Sequence, residues 1–136
     1  MKNIWTIGHS NKHITELIKK LKENKIDILV DVRTKPFSRW CPQFNMESVK
    51  INAEMHKIKY DWRGKNLGGL GKNVDWEKTL NEISKLSSKK RICLMCSEAD
   101  YNKCHRHSKI EPELIKRKVL VTHILWDNVA MQTSMF

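Results

Sequence analysis

Apolar residues along the chain fall into short blocks separated by longer polar stretches. NIWTIG (residues 3–8) is a short apolar run closed by glycine, and DILVDV (27–32), IKYDW (58–62), KRICLM (90–95) and VLVTHILW (119–126) repeat the type. Runs of this length bounded by turn residues predict strands. Between the first two, Ile14, Leu17, Ile18 and Leu21 recur at helical spacing, with Ser10 or Asn11 as the expected cap. Trp76, Leu80, Ile83 and Leu86 line one face of another predicted helix, capped by Asn73. Further helices are expected from about 46 to 57 and from about Lys103, the latter bent or restarted near Pro112. RTKPFSRWCPQFN (33–45) carries two prolines and is irregular, and RGKNLGGLGKN (63–73) holds four of the five glycines and reads as a long loop with tight turns.

Strand, helix and strand within the first 30 residues make a βαβ unit, so these two strands run parallel. The alternation continues along the chain. It predicts an α/β fold: a single compact domain over residues 1–136, with a mainly parallel central sheet of about five strands flanked by helices, Rossmann-like in organisation. In such sheets ligands bind at the carboxyl ends of the strands, near the switch in strand order. The segments there are GHSN, DVRTKPFSRW, DWRGKNLGG and CSEADYNKCHR, and nearly all the unusual chemistry of the chain falls in them.

Charge sharpens this picture. There are 26 basic and 15 acidic residues, for a net charge of +11. The balance favours an anionic partner, a nucleotide or nucleic acid, although lysines in stretches such as KKLKENK also serve as a solvated helix face. Arg33, Arg39, Arg63 and Arg106 fall in predicted loops or at helix starts, where a guanidinium can grip a phosphate or carboxylate with two donors. Trp40 and Trp62 each neighbour an arginine, suited either to stacking on bases or to anchoring a loop. No apolar run approaches membrane-spanning length, and the N-terminus has no apolar leader, so a cytoplasmic protein with reduced cysteines is expected.

Cys93 lies within an apolar strand and belongs to the core, and Cys41 has no assigned role. Cys96 ends a strand, and Cys104 falls in the first turn of a helix if Asn102 caps it. A thiol there, beside His105 and Arg106, has a lowered pKa and suits a nucleophile or a ligand; packing between strand and helix is the alternative. Glu98 faces the expected cleft as general acid or base, or pairs with Arg33 or Arg106. Asp31 sits inside an apolar strand and needs a partner, with Arg33 and His9 the natural ones. His9 suits acid, base, ligand or structural hydrogen bonding. A metal reading would draw on His9, Cys96, Cys104 and His105, but the sequence requires no cofactor. NLGGLG lacks the Gly-Lys-Ser/Thr ending of a phosphate loop.

TIGHSN, VDVR, KPFSR, LGG, LMCSE and CHR occur in the order seen in the family called domain of unknown function 488, and the chain resembles that family from Thr6 to about His123. The resemblance implies a compact α/β domain but no particular activity. It implies as site residues His9, Ser10, Asp31, Arg33, Pro36, Ser38, Tyr60, Gly68, Gly69, Cys96, Glu98, Cys104, His105 and Arg106. VDVR is also similar to a rhodanese strand end. The loop after Cys96 departs from the cysteine-phosphatase pattern, with Asn102 in place of an arginine and with Glu98 and Asp100 to repel an anion.

The leading expectation is an enzyme, a hydrolase or transferase acting on a nucleotide or nucleic acid at a modified base or its glycosidic bond. Glu98, Cys104, His105 and His9 would be catalytic. Ser10, Asp31, Arg33, Ser38, Tyr60, Gly68, Gly69, Cys96 and Arg106 would bind the ligand. The alternative is a non-catalytic module binding the same ligands, and a third reading is metal binding or sulfur transfer.

Overall fold

Five of the apolar blocks form a parallel sheet, and the reason is visible in how they pair. In a computed structural model, which describes residues 2–126 and the backbone of residues 130–132, the strands are β1 (Lys2–Gly8), β2 (Ile28–Asp31), β3 (Lys59–Trp62), β4 (Ile92–Cys96) and β5 (Val119–Ile124). A sixth, β6 (Ala130–Gln132), adds an antiparallel edge that the apolar pattern does not announce. The order is β3-β2-β4-β1-β5-β6. β2 and β4 are buried at every position, as strands covered on both faces must be.

The helices divide between the faces. α1 (Ile14–Glu23) and α2 (Met46–Met55) place Leu17, Leu21, Val49 and Ala53 against Leu29, Cys93 and Met95. α4 (Trp76–Leu86) and α5 (Glu111–Lys116) place Leu80, Ile83 and Leu114 against Ile4, Ile28, Val30 and Leu94. Right-handed crossovers require this split: the chain moves one way across the sheet through β1, β2 and β3, and back through β4 and β5. β1 and β2 therefore feed one face, and β3 and β4 the other, so their carboxyl ends part and leave a crevice.

Several local expectations are corrected. His13, not Ser10 or Asn11, caps α1, and the Glu16 carboxylate accepts from the His13 N–H at 3.1 Å. Asp75 in left-handed backbone, not Asn73, precedes α4. Residues 63–73 are not all loop, because Gly64–Leu67 forms a short helix, α3. The last helix does not begin as a regular α-helix near Lys103 but as a 3-10 turn at Tyr101–Lys103 and a π-helical stretch at Arg106–Ile110; it restarts next to Pro112 as expected, with α5 running from Glu111. Pro112 thus follows closely on the π-helical stretch, with no break in helical backbone at Ile110 and Glu111. Among the described residues no helix is long and apolar enough to cross a membrane.

Two strand ends are locked together. The His9 N–H donates to the Cys96 carbonyl and the Ser10 N–H to the Ser97 carbonyl, each at 2.9 Å. Gly8 lies so close to this second loop that a Cβ on it would fall 1.8 Å from the Glu98 carbonyl oxygen. Gly8→Ala is expected to lower stability by about 1–3 kcal/mol or more, read from the midpoint of chemical unfolding. A variant as stable as the parent would show that the loops do not pack in this way.

Candidate active site

A cavity of about 620 Å³ opens in the crevice at the strand ends. β1 contributes His9 and Ser10 to its wall. The loop after β2 contributes Arg33, Lys35, Phe37 and Ser38. Gly69 and Leu70 come from the segment after β3, and Cys96, Glu98, Lys103, Cys104 and His105 from the end of β4 and beyond. Four stretches distant in sequence thus share one pocket.

Behind one wall lies a closed ionic network. Asp31 is fully buried and takes both Nε (2.9 Å) and Nη2 (2.7 Å) of Arg33, the two-point pairing that makes a buried carboxylate tolerable. The Tyr60 hydroxyl donates to the same carboxylate at 2.5 Å, and burial beside that charge holds its own proton far above the usual phenol range. Arg33 Nη1 donates to the Phe44 carbonyl at 2.7 Å and to His9 Nε2 at 3.3 Å. His9 Nδ1 donates to the Ser10 carbonyl at 2.7 Å, which leaves Nε2 as the acceptor and the ring neutral. Its pKa falls to about 4, chiefly because the ring is buried, with the Arg33 cation adding to the effect. The ring stacks on Phe44, centroids 4.3 Å apart.

The opposite wall holds a dithiol. Cys96 Sγ and Cys104 Sγ are 2.8 Å apart, and both are free cysteines. Beneath them Arg106 is fully buried. Its Nη1 donates to Cys96 Sγ and to the Glu98 carbonyl, each at 2.7 Å, its Nη2 to the Ala99 carbonyl at 3.3 Å and its Nε to Thr6 Oγ1 at 3.1 Å. Among the described residues no carboxylate pairs with this guanidinium. The dithiol is the group placed to supply the compensating negative charge. Cys104 carries it: its pKa is pushed well below the thiol range, first by the Cys96 S–H, then by His105, the Arg106 N–H and the Arg106 cation. Cys96 is the partner that keeps its proton, its pKa raised by donating to Cys104 and by burial.

His105 completes this wall. Its Nε2 donates to the Leu67 carbonyl at 2.9 Å, which turns Nδ1 toward Cys104 Sγ at 3.7 Å. The neighbouring glycines make the approach possible. A Cβ on Gly69 would sit 2.9 Å from His105 Nδ1, and one on Gly68 2.1 Å from Thr34 Oγ1. LGG is therefore a packing motif around His105, not a tight turn; the left-handed glycine is Gly71. A family model for the domain of unknown function DUF488 matches residues 13–80 and 70–108. The chain belongs to the DUF488 family. Comparison with curated proteins and with solved structures gives no significant match.

In this DUF488 protein the expected site residues separate into a lining and a support. His9, Ser10, Arg33, Ser38, Gly69, Cys96, Glu98, Cys104 and His105 line the cavity, whereas Asp31, Tyr60, Gly68 and Arg106 stand behind it. Arg33 and Arg106 are not free to clamp an anion as expected, because their donors are committed inward. Ser38 Oγ accepts from the Trp40 and Cys41 N–H groups at 3.1 and 3.2 Å and so shapes the loop. Glu98 is exposed and pairs with neither arginine; its Oε1 accepts from the Asp100 N–H at 3.1 Å. Cys104 precedes the helix rather than lying in its first turn, and Asp100, not Asn102, caps the 3-10 turn before it. The four-residue metal reading meets two obstacles: His9 Nε2 faces Arg33 and Cys96 Sγ faces Arg106. Trp62 anchors the loop by donating to the Arg33 carbonyl at 2.8 Å. Lys35, Phe37, Cys41, Leu70 and Lys103 line the pocket without having been singled out from sequence. Their position just after strand ends was the signal available.

The neutral His9 has a consequence for stability. Above pH 6.5 neither the folded nor the unfolded chain protonates it; between about 6.5 and 4 only the unfolded chain does. Stability therefore falls as pH drops through that window, by at most about 3 kcal/mol from this group. Unfolding at pH 7 and pH 4.5 should show a smaller loss for His9→Gln than for the parent. Equal losses would contradict the assignment.

Proposed function

We propose that this DUF488 protein is an enzyme acting on a nucleotide or nucleic acid, with Cys104 as its nucleophile. The observation that carries the reading is the position of Cys104 Sγ in the pocket, 2.8 Å from Cys96 Sγ and 3.7 Å from Nδ1 of His105, whose ring is fixed by the Leu67 carbonyl. Nucleophile, neighbouring imidazole and a third group that orients the imidazole are the arrangement of thiol catalysis. The cavity lies within the roughly 300–1,000 Å³ typical of small-ligand sites. Lys35 and Lys103 on its wall suit phosphate, since the two buried arginines are already engaged. Phe37 and Trp40, 64% and 85% exposed on the loop after β2, offer faces on which a base can stack.

In this scheme Sγ of Cys104 bonds to an electrophilic carbon of a modified base or of its glycosidic linkage. The bond to the leaving group breaks, and the leaving group takes a proton from water. Water then attacks the same carbon while Glu98 removes its proton, and Sγ leaves as the thiolate. His105 steers Sγ, its ring held by the Leu67 carbonyl.

The test is turnover. Nucleotides and single-stranded oligonucleotides bearing modified bases are incubated with the protein, products are separated by liquid chromatography, and acid-quenched protein is weighed by mass spectrometry. Cys104→Ser should reduce turnover at least about a thousandfold, and Glu98→Gln should accumulate a covalent adduct on Cys104. Binding without turnover, or turnover that survives Cys104→Ser, would overturn the proposal.

A further inference from the structure

On the far side of Arg106 from the pocket lies a second group of chemically active side chains. His107 Nδ1 is 2.6 Å from Glu111 Oε1, and His123 Nε2 is 2.8 Å from the same oxygen. The three donor atoms lie within 4.8 Å of one another. We propose that His107, Glu111 and His123 form a binding site for a divalent transition metal of the zinc class.

Two imidazole nitrogens and one carboxylate oxygen are a ligand set suited to zinc and its neighbours. Ligands at about 2.0–2.2 Å from a zinc ion lie roughly 3.3–3.5 Å apart. The carboxylate need only withdraw by under an ångström to admit one. The backbone supports this geometry. His107 and Glu111 are four residues apart across the π-helical stretch, a feature found mostly where a helix has been opened for function. His123 comes from β5 and points into the same face of the sheet as Thr6.

Both rings are held from outside. Thr6 Oγ1 contacts His123 Nδ1 at 2.5 Å, the hydrogen bond to the distal nitrogen that fixes a ligating imidazole. Tyr101 stacks on His123, centroids 4.1 Å apart and planes 3° apart, and meets His107 edge-on at 5.2 Å. His123 and Glu111 are buried, while His107 is half-buried, so an ion reaches the site from the His107 side and keeps a position for water there. Thr6 Oγ1 also accepts from Arg106, so three hydrogen bonds link the His123 ring to Cys96. The site does not depend on the reading given to the pocket.

Cobalt(II) and zinc are the probes. Untagged protein is stripped with a chelator and titrated with cobalt(II) under reducing conditions, then with zinc in competition. The proposal predicts about one equivalent of cobalt with d–d bands but no sulfur-to-cobalt charge-transfer band, and an affinity lowered at least about tenfold in His107→Ala. Glu111→Gln should do the same if it folds; the half-exposed His107 keeps the test independent of that. No binding, or binding that survives His107→Ala and carries the charge-transfer band of the Cys96–Cys104 pair, would overturn it.

Discussion

A buried guanidinium that pairs with no carboxylate among the described residues organises this molecule. Arg106 lies under the sheet's carboxyl edge and donates to Thr6 on β1, to Cys96 on β4 and to two carbonyls of the following loop. An uncompensated charge in that position would cost several kcal/mol. The dithiol is the group placed to answer it: Cys96 Sγ meets the cation at 2.7 Å, and the Cys104 thiol beside it is held well below the usual thiol range, first by Cys96. The same contacts that stabilise the fold therefore activate a thiol. Arg106 contacts Cys96 directly, and the Cys104 thiol is lowered first by Cys96 and then by His105, with the Arg106 cation adding to the effect.

The other wall follows a different logic. Arg33 has its carboxylate, Asp31, and the pair is closed by Tyr60, Phe44 and His9. That network is electrically satisfied and rigid, and it leaves His9 neutral. One wall is thus a fixed scaffold and the other holds the reactive charge. Glycine joins them: Gly8 lets the loops after β1 and β4 touch, and Gly69 lets the segment after β3 reach His105.

The strands and their parallel direction were legible because a buried parallel sheet leaves continuous apolar runs, as in ICLMC, and because helices alternate with them; the order in which they lie was not. β6 was not, since it lies past the last apolar block. The pocket was legible as a set of strand ends, but the direction of each side chain was not. Arg33 and Arg106 read as ligand clamps because sequence shows a guanidinium near a loop and not the acceptors it will find. LGG read as a turn because the ring of His105 is 36 residues away from Gly69. His107, Glu111 and His123 escaped notice for the same reason: a strand histidine and two helix residues meet only once α5 folds over β5.

The chemistry of this wall depends on Cys104 being a thiolate at neutral pH. The direct measurement is its rate of alkylation by iodoacetamide from pH 5 to pH 9, followed by peptide mass spectrometry with Cys104→Ser as blank. A thiolate gives a rate nearly independent of pH across that range. A rate climbing about tenfold per pH unit toward the ordinary thiol value near 8.5 would contradict it.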